Sequence, residues 1–142
     1  TLKEQSMDYP VPVVRLIIPN AEGKVLLLRR SGAAYANQAW CLPGGKIDYE
    51  QTAEEAVRRE LREETELTPT SIRFLFYQDS LPLRTGGMHC INLYFECGVS
   101  GNIALNDESS EYAWIGPSDL ESYDVAFRND EALARYWQTE TQ

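Results

Sequence analysis

The chain has 142 residues, 43% apolar and 11% aromatic, and its 13 basic and 22 acidic side chains leave a net charge of −9. That length suits one domain around one core, and the acidic balance argues against a nucleic-acid backbone or an anionic membrane as the main partner. No apolar run approaches the roughly 18 residues of a membrane span, no leader pattern opens the chain, and Cys41, Cys90 and Cys97 lack disulfide-framework or zinc spacing, so a cytoplasmic location is expected.

In chain order, residues 1–8 read as a mobile tail and 9–142 as a single domain. Residues 11–18 read as a buried strand, the NAEG at 20–23 as a turn, and 24–29 as the hairpin partner of the first strand. A loop rich in Gly, Ala and Asn follows. Pro43, Gly44 and Gly45 then lead to Thr52, which with Glu55 forms a capping-box signature for a helix from Ala53 to about Glu66. SIRFLFYQD at 71–79 and MHCINLYFECGV at 88–99 read as strands joined by a loop, and EYAWI at 111–115 as a further short strand. Asn129 is placed to cap a closing helix whose apolar side carries Leu133, Tyr136 and Trp137.

The helix after Thr52 ends in RRELREETEL, residues 58–67. Charge runs of this kind are usually a solvated face, so phase matters. On a wheel of about 100° per residue, Val57, Leu61, Ala53 and Ala56 define the buried stripe. Glu60, Glu64 and Glu63 fall at about 300°, 340° and 240° from Val57, within that stripe or at its edge. Glu54, Glu55, Arg58, Arg59 and Arg62 take the opposite arc. Three carboxylates aimed toward the fold cost several kcal/mol, or about that order, if ionised and unpaired. Arginines could offset this, but Arg58 and Arg62 point away and only Arg59 is near the edge. A hard divalent cation is the more economical partner. Such a cation also reverses the local field, which an anionic small molecule needs in so acidic a protein.

From Gly45, five residues lead to Gln51, seven more to Arg59-Glu60-Leu61, and then come Glu63-Glu64 and Glu66-Leu67. This segment resembles the box of the Nudix hydrolases of the MutT-like kind, with the preceding WCLPG also typical. The resemblance implies an α/β fold, the family's α/β/α sandwich with a mixed central sheet. It also implies a Mg²⁺-dependent hydrolase, with Mn²⁺ as the alternative ion, cleaving a diphosphate linkage in an NTP or dNTP, ADP-ribose or a nucleotide sugar. The partner is then an anionic nucleotide-type small molecule, and a homodimer stays open. The alternative is a non-catalytic Nudix-fold module that binds a nucleotide or regulates a partner. Two positions depart from the pattern: Gln51 stands where the family has a glutamate that braces the box arginine, and Glu66 where it has glycine. The first leaves Arg59 with a neutral brace, or turns it to Glu63 or Glu55. The second predicts a different helix end, because a left-handed glutamate costs about 1 kcal/mol.

The resemblance makes Glu60 and Glu64 metal ligands, Glu63 a further ligand or water-orienting carboxylate, and the Gly44 carbonyl another ligand. Glu108 and Glu111 match a region where many members place an extra glutamate, and Glu111 is taken as a catalytic candidate. Arg29 and Arg30 end a strand, and alternation lets only one face inward; Arg30 is favoured to meet a substrate phosphate or base. Trp40, Tyr35 and Phe127 could stack on a base, although aromatic residues at such positions are more often core. His89 and Cys90 are adjacent on a strand and face opposite sides, so they form no dyad. Pro82 falls 15 residues after the end of the box, a mark associated with ADP-ribose hydrolases that any loop could also carry.

Overall fold

A computed structural model describes residues 9–32, 36–83 and 87–140. The expected tail at 1–8 and the aromatic candidate Tyr35 lie outside the described residues. Among the described residues seven strands and two helices follow in the order β1 (Val11–Ile17), β2 (Val25–Arg30), β3 (Trp40–Cys41), β4 (Gly44–Lys46), α1 (Ala53–Thr65), β5 (Thr68–Ser80), β6 (Cys90–Ser100), β7 (Ser109–Ile115) and α2 (Asn129–Glu140), with a 3-10 helix at Pro117–Ser122.

The strands form two sheets. One is mixed, in the order β4-β1-β6-β5, with β1 and β6 parallel; the other is antiparallel, in the order β3-β2-β7. The expected hairpin of the first two strands is therefore corrected. The turn is present, closed by Asn20 N–H on the Lys24 carbonyl at 2.8 Å, but only an isolated Pro19–Val25 bridge joins its arms. Strand β1 has both edges taken by β4 and β6, so β2 pairs elsewhere. Val25 to Leu28 are buried, as an apolar run with no polar alternation requires.

Two cores flank these sheets. Val14, Leu16, Leu26 and Leu28 pack against Ala56, Val57 and Leu61 of α1, while Ile17, Leu27, Tyr94 and Ile115 pack against Leu133, Tyr136 and Trp137 of α2. The result is the expected α/β/α layering, with its sheet layer split in two. Strand β5 starts earlier than expected, at Thr68, because an edge strand with a bulge between Pro69 and Ser71 tolerates a proline that donates nothing.

Helix α1 begins as its sequence predicts. Thr52 Oγ1 accepts the Glu55 N–H at 3.1 Å and Glu55 Oε1 accepts the Thr52 N–H at 2.8 Å. Its end overturns the expectation of a different termination: Glu66 takes the left-handed cap itself, at φ 62, and donates its N–H to the Arg62 carbonyl. Nearby bonds hold it there, with Thr65 Oγ1 donating to the Leu61 carbonyl at 2.6 Å and accepting the Leu67 N–H at 3.1 Å. Glu66→Gly is therefore expected to stabilise the protein by about 1 kcal/mol, raising Tm by a few degrees. An unchanged or lower Tm in thermal unfolding would show that the cap carries no strain.

Asn129 also departs from its expected role. Its fully buried side chain caps nothing; Oδ1 accepts the Leu42 N–H at 2.9 Å and Nδ2 donates to the Tyr94 hydroxyl at 3.2 Å, tying the start of α2 to the segment before β4.

Candidate active site

Strand β4 fixes the centre of the site. It lies antiparallel to β1 with Gly45 opposite Val14 and Gly44 opposite Arg15, and the preceding Pro43 carbonyl accepts the Leu16 N–H at 2.8 Å. Helix α1 packs over this strand and brings Glu60 and Glu64 down onto the two glycines. A Cβ on Gly45 would stand 2.6 Å from Glu60 Oε1, and the Gly44 N–H donates to Glu64 Oε2 at 3.1 Å. Only a glycine at 45 leaves room for that carboxylate.

The cleft here has a volume of about 470 Å³. Gly44, Gly45, Glu60 and Glu64 line it, together with Arg15, Arg30, Arg59, Glu63 and Glu108. Glu60 and Glu64 take the inward phase of the helix wheel, and Glu63 its edge. Glu60 retains 12% of its side-chain exposure, whereas Glu63 is 53% exposed and turns toward Arg59, with Oε1 3.3 Å from Nη1. Glu63 had the outermost phase, so the neighbouring arginine and solvent claim it.

Burial pushes the Glu64 carboxyl well above the ordinary carboxylate range, reinforced by its hydrogen bond to Glu60 and that group's charge, and opposed by the Gly44 N–H. A divalent cation suits this pair, because two carboxylates come together and, among the described residues, no cation is bonded to Glu64. Among the described residues no three acidic, His or Cys side chains surround a single point. Glu60 and Glu64 are thus the residues that would hold an ion, and Glu63 is within reach on the same helix.

A raised carboxyl pKa stabilises the fold fully below the unfolded value near 4.5, and that contribution is lost as pH rises through the folded value. In chelator, wild type should therefore lose Tm relative to Glu64→Gln as pH climbs above the unfolded value, and millimolar Mg²⁺ should restore it by binding the deprotonated pair. A pH-independent difference between the two proteins in differential scanning calorimetry would contradict this.

Arg59 braces the cluster. Burial disfavours its charge, but Glu60, Asp48 and Glu63 outweigh that and raise its pKa. Nη1 donates to Glu60 Oε1 at 2.7 Å, and Nη2 donates to the Lys46 carbonyl at 3.0 Å and to Gln51 Oε1 at 3.3 Å. Of the alternatives for Arg59, both Gln51 and Glu63 are realised, and Glu55 is occupied in the capping box. The substitution of Gln51 leaves a trace: Arg59 Nε is buried without a partner. Glutamine has one acceptor oxygen, and here that oxygen also takes the Asp48 N–H at 3.1 Å. Gln51→Glu supplies a second acceptor and a charge, with an expected gain of about 1 kcal/mol and little change in turnover. A hundredfold rise in kcat would assign Gln51 a different role.

The other candidates separate clearly. Arg30 lines the cleft, whereas Arg29 pairs with Glu111 across the β2–β7 ladder, Nη1 to Oε2 at 2.8 Å, outside the cleft lining. Glu111, the catalytic candidate, and Arg29, the second substrate-contact candidate, are thus each other's partners in the described structure. A bulge between Arg29 and Arg30 resets the register, so that Ser109 faces Arg30 and Glu108 reaches the cleft. The Glu108 loop is pinned to α1, with Asn106 Nδ2 donating to the Glu63 carbonyl at 3.0 Å and Asn106 Oδ1 accepting the Glu108 N–H at 2.9 Å. Trp40 packs edge-on against Tyr123 at 5.1 Å as part of the core, while Phe127 lies under the guanidinium groups of Arg15 and Arg30 at 4.7 and 4.9 Å. The sequence reading missed Arg15. Its signal was a lone charge in the apolar run VPVVRLII.

Glutamates carried on a helix over a two-glycine strand, braced by the helix arginine, define a Nudix site, and the NUDIX domain family matches residues 9–136. The chain belongs to the Nudix family and is a Nudix pyrophosphohydrolase. It is similar to the nucleoside triphosphatase NudI of Escherichia coli, 39% identical over 99 residues that span 61% of this chain and 67% of the relative. Its fold is similar to that of a MutT protein from Methanosarcina mazei Go1, with TM-score 0.83, 25% identity and 96% and 100% of the two chains covered. A NUDIX domain of NrtR from Shewanella oneidensis, solved in complex with ADP ribose, also shares the fold, with TM-score 0.76, 20% identity and coverage of 95% and 91%. No helix among the described residues is long and apolar enough to cross a membrane.

Proposed function

We propose that the chain hydrolyses nucleoside triphosphates, or the corresponding deoxynucleotides, with Mg²⁺ as the cation and Mn²⁺ as a substitute. The observation that carries this reading is the half-buried Glu60–Glu64 pair in a cleft that Arg15 and Arg30 also line. Similarity to a nucleoside triphosphatase favours a triphosphate over ADP-ribose or a nucleotide sugar. Glu60 and Glu64, with the Gly44 carbonyl as a further donor, would hold the cation, which would supply charge neutralisation at the phosphoryl groups and activation of water. The chain's own groups do the rest: Arg59 holds Glu60 in place, Glu63 and Glu108 offer carboxylates at the cleft for a water proton, and Arg30 takes an anionic oxygen of the substrate.

The test is a panel of NTPs, dNTPs, ADP-ribose and nucleotide sugars with Mg²⁺ at neutral pH to 9.5, scored for released monophosphate and pyrophosphate. Triphosphates are expected to be turned over fastest. Preference for ADP-ribose would replace the substrate class, and absence of product across the panel would leave the non-catalytic binding module.

A further inference from the structure

We propose that Arg15 is a second substrate-binding residue, which forks onto a phosphoryl group of the polyphosphate and is held for that task against the Phe127 ring. This rests on the polyphosphate reading of the same cleft. Arg15 is half-buried on β1 and lines the cleft. Its contacts are a long bond from Nε to Asn92 Oδ1 at 3.4 Å and the Phe127 ring at 4.7 Å from its guanidinium carbon. Among the described residues no carboxylate pairs with it, whereas Arg29, Arg58, Arg59, Arg73 and Arg128 each sit in a salt bridge. A guanidinium drawn partly out of water without a counter-charge, in a chain of net charge −9, is a place prepared for an anion.

The mounting is rigid. Asn92 is fully buried and donates to Gln78 Oε1 at 3.3 Å, which also accepts the Tyr94 hydroxyl at 3.0 Å. Phe127 and Arg128 are consecutive left-handed residues with side chains, at φ 61 and 57, a conformation that surrounding structure must enforce. Gln78 Nε2 on the Arg128 carbonyl at 3.2 Å and Asn129 Nδ2 on the Phe127 carbonyl at 3.3 Å do so. Stacking uses the guanidinium's face and the bond to Asn92 uses Nε, so the two Nη groups remain as the planar fork that a phosphoryl group matches. Location favours phosphate over base: Arg15 is the register partner of Gly44, whose N–H bonds the Glu64 carboxylate.

Steady-state kinetics of Arg15→Gln and Arg15→Lys with ATP, GTP, CTP and UTP test this. Arg15→Gln should raise KM about 10- to 100-fold for all four while kcat moves less than about threefold, and Arg15→Lys should recover part of the loss. An unchanged KM overturns the proposal, and a rise confined to one base replaces it with base readout. Should Arg15→Gln not fold, Arg15→Lys, which keeps the charge and removes the planar fork, carries the test alone; a base-independent rise in KM of about tenfold is expected, and none overturns the proposal. If wild type hydrolyses none of the four, the hydrolase reading fails separately. Calorimetric titration with an α,β-methylene triphosphate then decides on Arg15, equal affinity of wild type and Arg15→Gln being the result that overturns it.

Discussion

Glu64→Gln should lower kcat by at least 10² to about 10³ while KM changes by less, because one positioned electrostatic group is typically worth that much in rate. The substitution is isosteric, and the glutamine oxygen can still accept the Gly44 N–H that now meets Glu64 Oε2 at 3.1 Å. What is lost is the charge that would complete the proposed cation site with Glu60. A carboxylate that acts through a cation on charge developing between two phosphoryl groups matters more in the transition state than in the ground state. The metal-free variant should also be no less stable than wild type, since it no longer buries two carboxyls against each other. Loss of turnover with retained Tm separates a chemical role from a structural one. An equal fall in nucleotide affinity and turnover, read from titration and initial rates, would instead make Glu64 a ground-state binding residue.

Much of this site is written in local sequence, and what escaped is nonlocal. The capping box at Thr52 and Glu55, the buried stripe of Val57 and Leu61, and the inward phase of Glu60 and Glu64 all depend on spacing within one helix, so a wheel finds them. Glu63 sits at the margin of that wheel, where an i,i+4 arginine and water decide its direction. The turn at Asn20–Gly23 was legible, but the separation of its arms into two sheets was not, because it depends on β4 and β6 claiming both edges of β1. The placement of Glu108 and Glu111 was hidden for the same reason. A cross-strand partner, Arg29, captures Glu111, and a bulge places Glu108 at the cleft. Asn129 reads as a helix cap from its neighbours in sequence, yet Leu42 and Tyr94, which claim its side chain, are distant in sequence.

The two glycines of β4 should separate stability from activity when each is changed to alanine. At Gly44, with φ +150, a Cβ would stand 2.0 Å from the Val14 carbonyl oxygen and 3.1 Å from the Arg15 Cα, both backbone atoms in the pairing partner. Neither can move without parting β4 from the central strand β1, so Gly44→Ala should cost on the order of 3 kcal/mol or more, a fall in Tm on the order of 10 °C. At Gly45 the neighbours are instead Glu60 Oε1 at 2.6 Å and Oε2 at 3.0 Å, the far end of a side chain that can rotate away. Gly45→Ala should therefore keep Tm within a few degrees while displacing a carboxylate that holds the cation, with kcat falling by about tenfold or more. Thermal unfolding and initial-rate assays on the two variants test this contrast. If Gly45→Ala unfolds and Gly44→Ala does not, the close approach of Glu60 is a packing constraint of the fold. If Gly45→Ala keeps full turnover, the position of Glu60 over β4 is not what the reaction needs, and the cation must be held chiefly by Glu64 with Glu63.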